Sequence, residues 1–238
     1  MKIIGQMVCG PGEADRYLKE TLDDFARLCD DVVVSLCNAT PKEEKLVRSY
    51  DFRSYYDNRI WGEKQPYIKT DLLRKIMQLD PDWIIVLDAD ETLPTIDRRI
   101  FEGLTEGRDS MYFYVVNLWN DPGHYAKSTS FWNVRAYRPK ATTDHQFLKK
   151  ALHCGNAPPY FYSLPARKTY VPHIMLHKGL MNKLDRERRV ERYNQFDPQA
   201  IHKGREYYDM LASAGSGSIY KQDEVLAKLN EFYGSIKR

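Results

Sequence analysis

Apolar positions along the chain fall into short uninterrupted runs that alternate with amphipathic stretches. Lys2 to Cys9 reads as a buried strand, broken by Gly10, Pro11 and Gly12. From Tyr17 to Cys29 the apolar residues Leu18, Leu22, Phe25, Ala26 and Cys29 recur at helical spacing, which predicts an amphipathic helix. Val32 to Leu36 is a β-branched run and a second strand. Thr40 before Pro41 and Glu43 marks a helix start, with proline in the first turn, and that helix extends to about Ser49. Phe52 to Tyr56 reads as a third strand and Ile60 to Gln65 as a polar loop around Gly62. Tyr67 to Leu79 is a helix with Ile68, Leu72, Leu73 and Ile76 on one face, stopped by Asp80-Pro81-Asp82. Trp83 to Leu87 is a fully apolar strand that ends directly in Asp88-Ala89-Asp90-Glu91.

This β-α-β-α-β-α-β order predicts an α/β fold with a mainly parallel sheet covered by helices on both faces. Ligands of such sheets bind at the carboxyl ends of the strands, where Asp88 and Asp90 stand. The second half reads differently. Met111 to Trp119 and Phe131 to Tyr137 are aromatic-rich strands, with a polar loop from Asn120 to Ser130 between them. Leu152 to Leu164 reads as loop and Tyr170 to Leu176 as a last strand. From Lys183 the pattern is helical and strongly charged. Ala212 to Ser218 is a Gly/Ser linker, and Gln222 to Tyr233 a short amphipathic helix.

The run IIVLDADETL carries the most chemistry. Two carboxylates one residue apart at a buried strand's exit can point together at a magnesium or manganese ion. Such an ion would neutralise a diphosphate as its bond to a sugar breaks. Two acids crowded there repel each other unless something offsets their charge, which weighs against a plain solvated turn. An Asp-x-Asp-x-Thr run after an apolar strand also occurs in haloacid-dehalogenase-type phosphatases, where Asp88 would be the nucleophile and Asp90 the acid. That alternative needs a later strand ending in Ser or Thr, then a Lys, then an adjacent acidic pair, and no such pair follows Glu91.

Composition narrows the field. The 238 residues suit one large domain, with 42% hydrophobic and 29% charged residues as in a globular protein. A net charge of +3 is too small for a nucleic-acid binder. Cys9, Cys29, Cys37 and Cys154 form no CxxC pair, so a zinc site is not expected and buried free thiols in a reducing compartment are. The start MKIIGQMVCG is broken by Gln6 and Gly10, so no secretory leader is expected, and no apolar run is long enough to span a bilayer. The expectation is a cytoplasmic protein whose membrane contact, if any, is peripheral.

The opening strand, the helix from Tyr17 to Leu28, the run Cys-Asp-Asp-Val-Val-Val, and above all the block from Lys69 through Asp-Pro-Asp-Trp-Ile-Ile-Val-Leu-Asp-Ala-Asp-Glu resemble family-two glycosyltransferases of the GT-A type. The resemblance covers roughly residues 2 to 180. It implies a GT-A-like domain over 1–180, with a donor and metal half (1–118), an acceptor half (119–180) and a helical extension over 181–238 that packs alongside or forms a homodimer contact. It implies a nucleotide-diphosphate sugar as donor, a UDP-sugar being the commonest, and inverting transfer to a carbohydrate or glycolipid acceptor. Asp90 would bind Mn2+ or Mg2+, Asp88 would lie near the ribose or the metal, and His177 in His-Lys-Gly would complete the metal site. Lys69 would face the diphosphate. Relatives carry an Asp after the second strand. Here the residues are Ser-Leu-Cys-Asn-Ala-Thr, which leaves Asn38 as the base contact and keeps a non-catalytic nucleotide-sugar or carbohydrate-binding module as an alternative.

Inverting transfer needs one base, and Asp144 is preferred over Asp121 and His153. Trp119, Trp132, Tyr125 and Tyr160 are candidate sugar platforms. His173 reads as structural. The run from Lys183 to Arg192 reads as a helix with salt-bridged faces, or as an anionic-surface or acceptor-docking patch.

Overall fold

The computed structural model describes residues 1–126, 129–150, 152, 154–201, 204–212 and 219–221. Four strands, β1 (Ile3–Cys9), β2 (Asp31–Cys37), β3 (Arg53–Asp57) and β4 (Trp83–Val86), lie parallel in the order β3-β2-β1-β4. Three helices connect them: α1 (Leu18–Leu28), α2 (Pro41–Arg48) and α3 (Trp61–Met77). The parallel register follows from the crossovers, and both faces of β1, β2 and β4 are covered, which is why they read as apolar runs, while the edge strand β3 is polar and largely exposed. On one face Ile3, Val32, Val34, Trp83 and Ile85 pack with Leu18, Leu22 and Phe25 of α1. On the other, Ile4, Val33, Ile84 and Val86 meet Leu72, Leu73 and Ile76 of α3. Gly5 lets α1 come close: a Cβ there would lie 2.6 Å from the Phe25 ring.

Beyond β4 the chain forms β5 (Glu91–Thr92), α4 (Arg98–Leu104), β6 (Ser110–Trp119), β7 (Asp121–Ala126), β8 (Phe131–Tyr137), β9 (Lys168–His177), α5 (Lys183–Phe196), α6 (Arg205–Ala212) and β10 (Ile219–Lys221). β8 joins β4 and β6 by antiparallel pairing, while β9 runs parallel to β6 and its last residues pair with β5. His177 at the end of β9 therefore reaches the same edge of the sheet as Asp88. The architecture is a GT-A-like single α/β domain with a helical C-terminal part.

Two local expectations change. The expected loop from Ile60 to Gln65 is the first part of α3. Gly62 and Pro66 suggested a loop, but Gly62 is small because the Phe196 ring of α5 sits 2.2 Å from where its Cβ would be. Pro66 only leaves the Gly62 carbonyl without its intrahelical donor. The expected loop from Asn120 to Ser130 holds β7, which folds back on β6 through Asn120 in a left-handed conformation (φ 67°). Its Pro, Gly and Asp are poor strand formers, tolerated beside a short partner. The acidic run, weighed above against a plain solvated turn, continues into strand at Glu91–Thr92, and the helix after it begins at Arg98, capped by Asp97. Ala212 ends α6, and the rest of the expected linker and the whole expected helix from Gln222 to Tyr233 lie outside the described residues.

Candidate active site

The Asp88–Glu91 turn is held from three sides. Thr21 Oγ1 of α1 lies 3.1 Å from the Ala89 carbonyl and 2.9 Å from that of Glu91, the Lys178 N–H donates to the Asp90 carbonyl (2.8 Å), and Glu91 pairs with His177 in the β5–β9 ladder. Parallel pairing of β1 to β4 delivers the turn to the sheet's carboxyl edge, and β9 delivers His177 to the same point.

There Asp90 Oδ2 lies 3.3 Å from His177 Nε2. The other ring nitrogen, Nδ1, meets Asn117 Oδ1, and the Asn117 amide nitrogen donates to the Thr129 carbonyl (2.6 Å). An amide so oriented presents its oxygen to Nδ1, which must then be the N–H. Nε2 is then the ring nitrogen that faces Asp90. Arg189 of α5 closes the group, its Nη2 3.2 Å from Asp90 Oδ2 and 3.1 Å from His177 Nε2. Gly179 makes room: a Cβ there would lie 2.0 Å from Asp90 Oδ2 and 2.4 Å from Arg189 Nη2. Burial pushes the Asp90 carboxyl up, but His177, Arg189 and Arg16 outweigh it and hold the group well below the usual carboxylate range.

Asp88, expected near the ribose or on the ion with Asp90, has a partner of its own. Asp88 turns to Arg135, with Oδ2 3.6 Å from Nη1, and its side chain is 39% exposed. No three of His, Cys, Asp and Glu converge as a metal-binding group among the described residues. The cause is Arg135 of β8, whose buried guanidinium forms an ion pair with Glu91 and draws Asp88 to its other side. Glu91 in turn accepts from the Asp88 N–H (2.9 Å). Burial, together with Asp88 and Asp90, raises the Glu91 pKa against the pull of Arg135.

The other expected residues are dispersed. Lys69 is buried, and its ammonium donates to the Gly155 carbonyl (2.7 Å) and to Asn156 Oδ1 (2.9 Å), fastening the segment that follows Cys154 instead of standing free for a phosphate. Asn38 is exposed at the carboxyl end of β2 with φ 50°, and its amide donates to the Arg59 carbonyl (3.2 Å). Asp144 is not brought to the site: it is exposed and its carboxylate accepts from the Gln146 N–H (3.0 Å). Asp121 pairs with His124, and His153 lies outside the described residues. His173 contacts Thr95 Oγ1 at 3.0 Å. Trp119 is a core residue with the Arg186 guanidinium 4.3 Å from its ring centre. Trp132 packs edge-on against Tyr114 and Tyr170, Tyr160 against Phe161, and Tyr125 is buried. A cleft of about 390 Å³ between β3 and α3, lined by Tyr55, Asp57, Arg59 and Asp71 among others, is separate from Asp90.

The residues that sequence reasoning missed are Asn117, Arg135, Gly179 and the inward face of α5. Asp185, Arg189 and Arg192 recur at helical spacing, and that face meets the first half of the chain. Arg16 donates to Asp185 (2.6 Å), Arg16 and Arg192 lie within electrostatic reach of Asp90, and Glu13 lies beside them. Burial, then Asp90, push the Glu13 carboxyl up to about 7 against Arg16 and Arg192.

No family model matches the chain, and no curated protein matches it. Solved structures do. Residues 1–349 of S. aureus TarS in complex with UDP-GlcNAc superpose with a TM-score of 0.50 at 12% identity, over 89% of this chain and 70% of that one. S. aureus TarS in a longer form gives 0.50 at 11% identity, over 87% of this chain and 45% of that one. At these identities the likeness is one of fold, and it gives the phosphatase alternative no support.

Proposed function

We propose that the chain is a glycosyltransferase that moves a sugar from a nucleotide-diphosphate donor to an acceptor hydroxyl, using a divalent ion held by Asp90 and His177. The observation that carries this reading is the convergence of a carboxylate oxygen and an imidazole nitrogen, 3.3 Å apart, at the carboxyl edge of a parallel sheet. The donor set fits Mn2+ or Mg2+. Such ions take one or two protein ligands and complete their shell with water and substrate phosphates. Adjacent ligands, each about 2.1 Å from one ion, stand roughly 3 Å apart, as these two atoms do. Asn117 supplies the outer contact that fixes the ring. When bound, the ion would offset the charge that develops on the departing diphosphate.

The remaining roles belong to the chain. Glu91 and Thr21 hold the turn so that Asp90 points outward from the sheet edge. Arg16 and Arg192 add positive field for the phosphates. Asp88, fixed by Arg135 and still partly exposed, is placed to contact the donor's ribose. Lys69 keeps the segment after Cys154 against α3, and Asn38, exposed at the carboxyl end of β2, is the proposed contact for the base. UDP-GlcNAc, the ligand of the TarS complex, is the first donor to try, with carbohydrate or glycolipid acceptors in a cytoplasmic setting. The reading includes inversion at the sugar carbon, which the anomeric configuration of the product tests.

The direct test is release of UDP from a panel of UDP-sugars with Mn2+ or with chelator. Turnover should need Mn2+ and fall at least ~100-fold in Asp90→Asn without loss of the folded state. Full activity of that variant would remove the assigned role.

A further inference from the structure

Resting on the ion-binding reading above, we propose that Arg189 is the site's built-in cation: it occupies the seat between Asp90 and His177, and a divalent ion must displace it to bind. Nη2 of Arg189 contacts the same two atoms that would ligate an ion, Asp90 Oδ2 at 3.2 Å and His177 Nε2 at 3.1 Å. One lone pair on Nε2 cannot serve an N–H donor and a metal together. A guanidinium and a divalent cation a few ångströms apart also repel. The two occupants are therefore exclusive.

The contact is built into the sequence at several points. Gly179 leaves open the space that a Cβ would fill at 2.0 Å from the Asp90 oxygen and 2.4 Å from the guanidinium. Asn117 fixes the ring so that Nε2, not Nδ1, receives Arg189. Helix α5 is anchored independently at both ends. Asp185 bonds Arg16 (2.6 Å) near its start, and Phe196 packs on Gly62 at its end. The guanidinium can thus leave its seat by side-chain rotation and local loosening while the helix stays attached.

Displacement has a chemical partner. A nucleoside diphosphate brings anionic oxygens to the edge where Asp90 stands, and these can accept the guanidinium that the ion has released. Ion and diphosphate then favour each other, and an ion alone binds against the resident Arg189.

Titration of Mn2+ by electron paramagnetic resonance, with and without UDP, tests this in the full chain. Wild type should bind Mn2+ weakly alone and at least ~10-fold more tightly with UDP. Arg189→Met should bind Mn2+ alone at least ~10-fold more tightly than wild type, and Arg189→Gln serves if the first variant does not fold. Amide exchange in 183–196 should quicken when wild type binds Mn2+. Equal Mn2+ affinity in wild type and a folded Arg189 variant would overturn the proposal. Failure of every variant to bind Mn2+ would overturn it along with the ion-binding reading. Tighter Mn2+ binding in Arg189→Met without turnover of any nucleotide-sugar would uphold the competition and sink the transferase instead.

Discussion

The parallel half of the sheet and the cover formed by the end of β9 with α5 are held together in opposite ways. In the first, Ile3, Val34, Ile85 and Phe25 are fully buried, and the strands and helices meet through apolar surface. In the second, a smaller apolar cluster that includes Trp119, Leu180 and Tyr193 is joined by the inward side chains of Asp185, Arg186, His177 and Arg189, and ion pairs link residues far apart in sequence, such as Arg16 with Asp185 and Asp90 with Arg189. Apolar burial is insensitive to pH and to added ions. Ion-pair packing depends on both, so the cover is the region whose structure a ligand can change. The difference places a fixed scaffold beneath a conditional lid, with the Asp88–Glu91 turn at the junction.

Arg135 belongs to the scaffold although it is charged, and its variants should have the largest effect on stability. Arg135 and Glu91 are 4% and 2% exposed, so Arg135→Met leaves Glu91 buried without its partner and should cost about 3–5 kcal/mol in a urea melt. A double change with Glu91→Leu should recover part of that loss. No recovery would mean that the pair is not the reason for the burial.

Two glycines sharpen the contrast next. Gly5→Ala drives a methyl to within 2.6 Å of Phe25, a fully buried ring, and should cost about 1–3 kcal/mol while leaving Mn2+ affinity unchanged. Gly179→Ala meets only the ends of Asp90 and Arg189, which can move. Its stability cost should be smaller, and its effect should appear in Mn2+ and UDP binding. The reverse pattern would break the division between scaffold and cover.

The smallest effect is in pH dependence. Glu13 titrates near its ordinary 4.5 when unfolded and at about 7 when folded. Between these values the native state binds the extra proton, so this group's contribution is fully present below about 4.5, declines as pH rises towards 7 and is gone above it. Glu13→Gln should flatten the stability curve between pH 5 and 7, and an unchanged slope would show that another group carries it.

Most of the scaffold was legible because its signals are local. Leu18, Leu22 and Phe25 repeat at helical spacing, Val32 to Val34 are β-branched, and Thr40 with Glu43 forms the capping box that their spacing suggests. The turn after Trp83–Val86 was legible for the same reason, an apolar strand running into acids. The partners of those acids were not. Arg135 and Asn117 sit inside strands whose pattern reads as apolar, and nothing local distinguishes a buried charge from a solvated one. Glu91–Thr92 is too short to show a period. On α5 the charges at Asp185, Arg189 and Arg192 read as salt-bridged faces of one helix, since helical periodicity assigns charge away from a core. Asp185 and Arg189 turn inward because Arg16 and Asp90 wait there, a fact carried by residues more than 150 positions away from Asp185 in the case of Arg16. Gly62 and Pro66 misled because their reasons are a ring on another helix and a tolerated missing donor.

The central claim is that Asp90 and His177 bind a divalent ion together with a diphosphate. Calorimetric titration of UDP into wild type and Asp90→Asn, each with Mn2+ and with chelator, tests it most directly. The account predicts affinity at least ~10-fold higher with Mn2+ in wild type and no Mn2+ effect in the variant. UDP binding that is equal in all four experiments would contradict it.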